Sequence, residues 1–97
     1  MRDRNYIIML YDCYSELFDD KKQLYFEEYY FNNLSLGEIS TNLGVSRNAV
    51  HKAIINVEEK LLFYEEKLGL YNINKVICDI IEIEENEAIK NKLKGLV

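Results

Sequence analysis

At 97 residues the chain has room for one small domain, and 48% hydrophobic with 30% charged residues is a globular balance. A formal net charge of −5 gives no basic field of the kind nucleic-acid binders carry, so any attraction for phosphate must come from a local patch. The absence of proline and only four glycines argue against a turn-rich β-sandwich, and no apolar run approaches the roughly 20 residues that span a bilayer.

The opening residues Met1-Arg2-Asp3-Arg4-Asn5 lack the pattern of a signal peptide, so the expected compartment is the cytoplasm. Helical spacing of Tyr6, Ile7, Leu10, Tyr14, Leu17 and Phe18 predicts a first helix over Arg4 to Phe18, with Asp3 as its N-cap. Asp19-Asp20 breaks it, and Asp20 with Gln23 reads as a capping box for a second helix reaching about Phe31. Asn32-Asn33 is a turn. Ser35 with Glu38 is a clearer capping box and opens a short helix ending near Leu43. Gly44 turns the chain and Ser46 caps the next helix, which runs unbroken from Arg47 to Leu68 and ends at Gly69. The tail, residues 72–97, holds Ile73, Val76, Ile77, Ile80, Ile81, Ile83, Ile89 and Leu93, which predicts one or two helices with a weak point near Glu84-Glu85-Asn86. The expected fold is thus all-α, a single-domain helical bundle. Residues 1–71 form its main domain, and 72–97 form a tail that belongs to it or serves dimerisation.

Residues Leu36 to Ala53 carry the strongest local pattern. A helix-turn-helix needs two helices crossing over a short turn. Ser40 is the small residue at the crossing, and Gly44 supplies the left-handed turn residue. Ile39, Leu43, Val45, Val50 and Ala53 fill the angle between the helices. The alternative is an ordinary helical hairpin with a glycine corner, which seldom needs so short and sharp a turn. In the helix-turn-helix reading, the second helix enters the major groove by its N-terminal end. Arg47, Asn48, His51 and Lys52 then occupy its exposed early positions. Arginine can grip guanine and asparagine adenine, each bidentately. Ser35 and Ser46 stand at helix N-termini, where hydroxyl and backbone N–H groups can bind phosphate. His51 is as readily a plain surface imidazole.

Charge is segregated along the chain. Residues 1–34 sum to −3, residues 35–57 to +1 and residues 58–97 to −3. The long helix carries a heptad seam at Val50, Ile54, Val57, Leu61, Tyr64 and Leu68, flanked by Ile55 and Leu62. The seam packs on the chain's own first helix or on a partner's. So many apolar stripes on so short a chain favour a homodimer. Cys13 and Cys78 read as small buried hydrophobes, although a disulfide between them stays open. With a single histidine and no CxxC, a zinc site is not expected. Neither a catalytic constellation nor a phosphate loop is present, so neither enzymatic activity nor a cofactor is expected.

The run Asp19-Asp20-Lys21-Lys22-Gln23, then Tyr29-Tyr30, Leu34 to Ile39, Gly44 to His51 and Tyr64 to Leu70, resembles the YlxM family of small bacterial DNA-binding proteins. The helix-turn-helix itself is similar to region 4 of sigma-70-type factors. The resemblance implies an all-helical fold, double-stranded DNA as ligand, and a regulatory role linked to the signal recognition particle pathway. Signal recognition particle components or RNA polymerase are then candidate partners. Family members often carry a basic pair where this chain has Ile55 and Asn56, so phosphate contacts are fewer here. Two functions are carried forward: a DNA-binding regulator, and an interaction module of the same fold with little nucleic-acid affinity. RNA binding ranks last, for want of basic and aromatic residues interleaved along the chain.

Overall fold

The computed structural model describes residues 3–83 and 87–96. Six α-helices follow in order: α1 Arg4–Tyr14, α2 Asp20–Tyr30, α3 Leu36–Leu43, α4 Arg47–Leu68, α5 Leu70–Ile83 and α6 Glu87–Lys94. A 3-10 turn, Ser15–Leu17, joins α1 to α2, and no strand occurs among the described residues. The fold is all-α, as expected. The weak point expected at residues 84–86 lies outside the described residues.

Local chemistry explains most boundaries. Asp3 caps α1 by accepting from the Asn5 N–H. The first helix ends at Tyr14, short of the expected Phe18. At α2 the cap is Asp19, not Asp20: its carboxylate accepts from the Lys22 N–H at 2.8 Å. Gln23 takes no part in a capping box, because its amide donates to the Ser15 and Phe18 carbonyls and ties the helix to the preceding turn. The Ser35–Glu38 capping box is complete in both directions. Gly44 and Gly69 close α3 and α4 with φ of +66° and +65°, conformations in which a side chain costs energy.

The core is assembled around α4, which crosses α1, α2 and α3. Ile7, Leu10 and Tyr14 of α1, Tyr25, Phe26 and Tyr30 of α2 and Ile39 of α3 meet Val50, Ile54, Val57 and Leu61 of α4. The heptad seam is therefore spent inside the chain. Tyr64 at its end is half-buried and Leu68 is exposed. Tyr11, absent from the expected core, is buried and stacks on Phe26 with ring centroids 4.1 Å apart. Tyr6 and Leu17, expected inside, are exposed. Cys13 is half-buried and Cys78 is exposed; both are free thiols, so the reading of Cys78 as a buried hydrophobe does not hold.

Two polar clasps set the ends of this bundle. The Arg4 guanidinium donates to the Tyr30 carbonyl at 2.7 Å, the Tyr29 carbonyl at 3.2 Å and Asn33 Oδ1 at 2.9 Å, covering the C-terminal carbonyls of α2. At the other end, the Tyr14 hydroxyl donates to Glu65 Oε1 at 2.6 Å and accepts from the Leu70 N–H at 3.0 Å. Glu65 also accepts from the Tyr71 and Asn72 N–H groups, each at 3.1 Å. A carboxylate of α4 and a phenol of α1 thereby satisfy the first turn of α5. The helix starts at Leu70, two residues before the expected tail.

Candidate nucleic-acid interface

The helix-turn-helix is built as its sequence requires. Helices α3 and α4 pack against one another, with Ile39 and Val50 fully enclosed and Leu43, Val45 and Ala53 packed partly buried at the angle. The Val45 N–H donates back to the Ser40 carbonyl at 3.1 Å, closing the turn. Ser40 stays half-buried at the crossing, its hydroxyl donating to the Gly37 carbonyl.

Arg47, Asn48, His51 and Lys52 are all exposed on the first two turns of α4. Spacing of one, three and four residues groups them on one exposed side of the helix, while Val50, Ile54 and Val57 turn to the core. Among the described residues neither Arg47 nor Lys52 forms a salt bridge, so both cations are available. Ala49 is exposed between them and offers a methyl group to a thymine methyl. Sequence reasoning passed over it because alanine carries no polar signal.

Ser35 and Ser46 are exposed N-caps. Their hydroxyl oxygens accept from the Glu38 and Ala49 N–H groups, each at 3.1 Å. Each hydroxyl hydrogen is left to donate to a phosphate oxygen. Ser35 also lines a shallow concavity of about 480 Å³ with Gly37, Glu38, Thr41 and Asn42. Glu38 brings a carboxylate to this rim, which opposes phosphate there. Thr41 and Asn42 are exposed hydrogen-bonding side chains on α3 that the sequence pattern did not single out.

Ile55 and Asn56 are half-buried, and Asn56 Oδ1 is closed off from solvent without a hydrogen-bond partner. Between Ser35 and Val57 the last basic side chain is therefore Lys52. The described residues hold no His/Cys/Asp/Glu cluster able to bind a metal, and no described helix is long and apolar enough to cross a membrane.

The fold and this arrangement define a helix-turn-helix protein. Residues 1–96 match the UPF0122 family, described as "putative helix-turn-helix protein, YlxM / p13 like". The chain belongs to that family. It is 43% identical to a UPF0122 protein of Desulforamulus reducens, in an alignment covering 100% of this chain and 92% of the relative. A UPF0122 protein of Listeria innocua is 44% identical over 95% of this chain and 92% of its own length. A UPF0122 protein of Caldanaerobacter subterraneus subsp. tengcongensis is 46% identical over 79% of this chain, which spans 66% of that relative.

Proposed function

We propose that this chain is a cytoplasmic, non-enzymatic DNA-binding regulator that places the first two turns of α4 in the major groove of double-stranded DNA. The observation that carries the reading is the exposed set Arg47, Asn48, His51 and Lys52 on a helix held by a complete helix-turn-helix. Arg47 and Asn48 read base edges, Lys52 and the Ser35 and Ser46 caps hold phosphates, and His51 adds a further donor. Its similarity to sigma-70 region 4 and to the YlxM family supports a link to transcription or to the signal recognition particle pathway. Signal recognition particle components and RNA polymerase are the partners that follow from this.

The regulator acts as a homodimer. The seam of α4 is buried internally, so the interface falls to α5, where Ile73, Val76 and Ile80 are 50%, 49% and 39% exposed. A second reading, an interaction module with little DNA affinity, is favoured by the net charge of −5 and by the loss of cations at Ile55 and Asn56.

Titration of duplex DNA at low and moderate salt separates the two. With two to four phosphates held per subunit, a dimer gives a slope of log affinity on log salt of about −4 to −7. Arg47→Ala weakens binding by about 1–3 kcal/mol and relaxes preference at one base pair. Lys52→Ala weakens all sequences alike. Absence of binding by the folded parent at low salt leaves the interaction module.

A further inference from the structure

The apolar seam of α4 outruns its cover. Val50, Ile54, Val57 and Leu61 are buried, and Tyr64 is half-buried beside Tyr14. Helix α1 ends at Tyr14, and Leu68, one turn beyond Tyr64 on the same stripe, is left 53% exposed. Leu17 on the 3-10 turn and Leu70 at the start of α5 are 55% and 42% exposed. Single exposed leucines are ordinary. These three come from three elements and line one cavity of about 410 Å³, with Asp12, Cys13 and Glu16 on its wall.

The charge around this cavity has one sign. Asp12 and Glu16 are exposed carboxylates four residues apart, and among the described residues neither forms a salt bridge. No described lysine, arginine or histidine lines the cavity. Lys67, beside Leu68 in sequence, is engaged elsewhere: its ammonium stands 4.0 Å from Glu66 and 5.8 Å from the centre of the Phe63 ring. The Cys13 thiol is pushed up by burial and then by the charges of Glu65 and Asp12, as an acid responds to a negative field. The walls belong to the two chain segments, residues 1–34 and 58–97, that sum to −3 each.

We propose that this groove docks a short basic amphipathic helix of another protein, with a leucine-type side chain set between Leu17, Leu68 and Leu70 and lysine or arginine side chains on Asp12 and Glu16. Charge complementarity selects this occupant. An acidic or neutral apolar segment would desolvate two carboxylates without pairing them, whereas cations one helical turn apart match their four-residue separation. Leu68 lies 21 residues beyond Arg47, about 30 Å along the axis of α4, so the groove stays open while the α4 N-terminus reads a duplex. The docking site is therefore independent of the duplex-binding function proposed above.

The two native cysteines report occupancy, since Cys13 lines the groove and Cys78 is exposed on α5 outside it. The probe is a labelled synthetic peptide of about 18 residues, leucine and lysine at helical spacing, titrated into the full chain at low salt. Anisotropy shows binding that weakens as salt rises. Alkylation by N-ethylmaleimide, located by mass spectrometry, slows at Cys13 in step with occupancy and is unchanged at Cys78. Leu17→Ser/Leu68→Ser weakens binding about 10- to 100-fold. Asp12→Asn/Glu16→Gln weakens it about 2- to 20-fold. Asp79→Asn/Glu82→Gln removes the same charge from α5, outside the groove, and binds as the parent does. A peptide with glutamate in place of lysine does not bind. Circular dichroism confirms that each variant is folded. The proposal is overturned if the parent neither binds the peptide nor protects Cys13, or if the groove variants bind like the parent. An equal loss in the α5 variant also overturns it, since that marks attraction to net charge alone. Protection of Cys13 without peptide, growing with the protein's own concentration, would assign the groove to a second copy instead.

Discussion

The sharpest constraints act at single residues. Gly44 holds the turn between α3 and α4 at φ +66°, and a Cβ there meets no atom within 4 Å. The strain of Gly44→Val is then one of backbone conformation alone. It destabilises by about 1–2 kcal/mol, read as a lowered thermal midpoint. The buried tyrosines give a second test. Burial, then the charge of Glu27, pushes the Tyr11 phenol up to about 12. Burial, followed by the hydrogen bond to Glu65, pushes Tyr14 up to about 12 as well. Tyr30 is raised by burial and then by its hydrogen bond to Glu58. An unfolded tyrosine ionises near pH 10, so these phenols favour the folded state fully below pH 10 and lose that contribution as pH rises towards 12. Stability measured by urea titration is flat between pH 8 and 9.5 and falls steeply above 10. Stability unchanged up to pH 11.5 would contradict the burial of these rings.

Among the elements, α5 depends most on a remote residue. Glu65 accepts two of its first backbone N–H groups and the phenol that accepts a third. Glu65→Gln leaves a single carbonyl oxygen and turns an NH₂ group towards these donors. It costs about 1–3 kcal/mol, and hydrogen exchange quickens first at Leu70, Tyr71 and Asn72. An unaltered exchange pattern would show that α5 starts without this cap. Elements governed by neighbours in sequence were legible beforehand. The caps Asp3, Ser35 and Ser46 and the glycine ends of α3 and α4 are local chemistry, complete within four residues. Elements governed by distant partners were not. Gln23 looked like a capping-box residue because the Ser15 and Phe18 carbonyls that claim it are placed only by the turn. Tyr11 was not picked out for the core because the Phe26 ring beside it arrives from another helix. The exposed positions of Arg47, Asn48, His51 and Lys52 were readable from helical periodicity.

The whole molecule is longer than a compact chain of its size. Its radius of gyration is 16.9 Å and its extents are 54 × 25 × 25 Å, against about 12–13 Å expected for a compact domain of 97 residues. Among the described residues helix α5 packs against α6, α1 and the end of α4, and Ile73, Val76 and Ile80 stay exposed on it. A second copy covers them in the proposed dimer. Sedimentation at micromolar concentration then gives twice the chain mass of 11.5 kDa, and Ile73→Glu/Ile80→Glu returns it to that mass. A parent sedimenting as a monomer would defeat the dimer.

The account turns on α3 and α4 as a duplex-reading unit, and amide chemical-shift mapping with a duplex oligonucleotide at low salt tests it most directly. The largest shifts are predicted at the two helix starts, Ser35 to Glu38 and Ser46 to Ala53, with α5 and Lys60 to Lys67 unmoved. Shifts absent from Ser46 to Ala53 in the folded protein, or confined to α5, would contradict it.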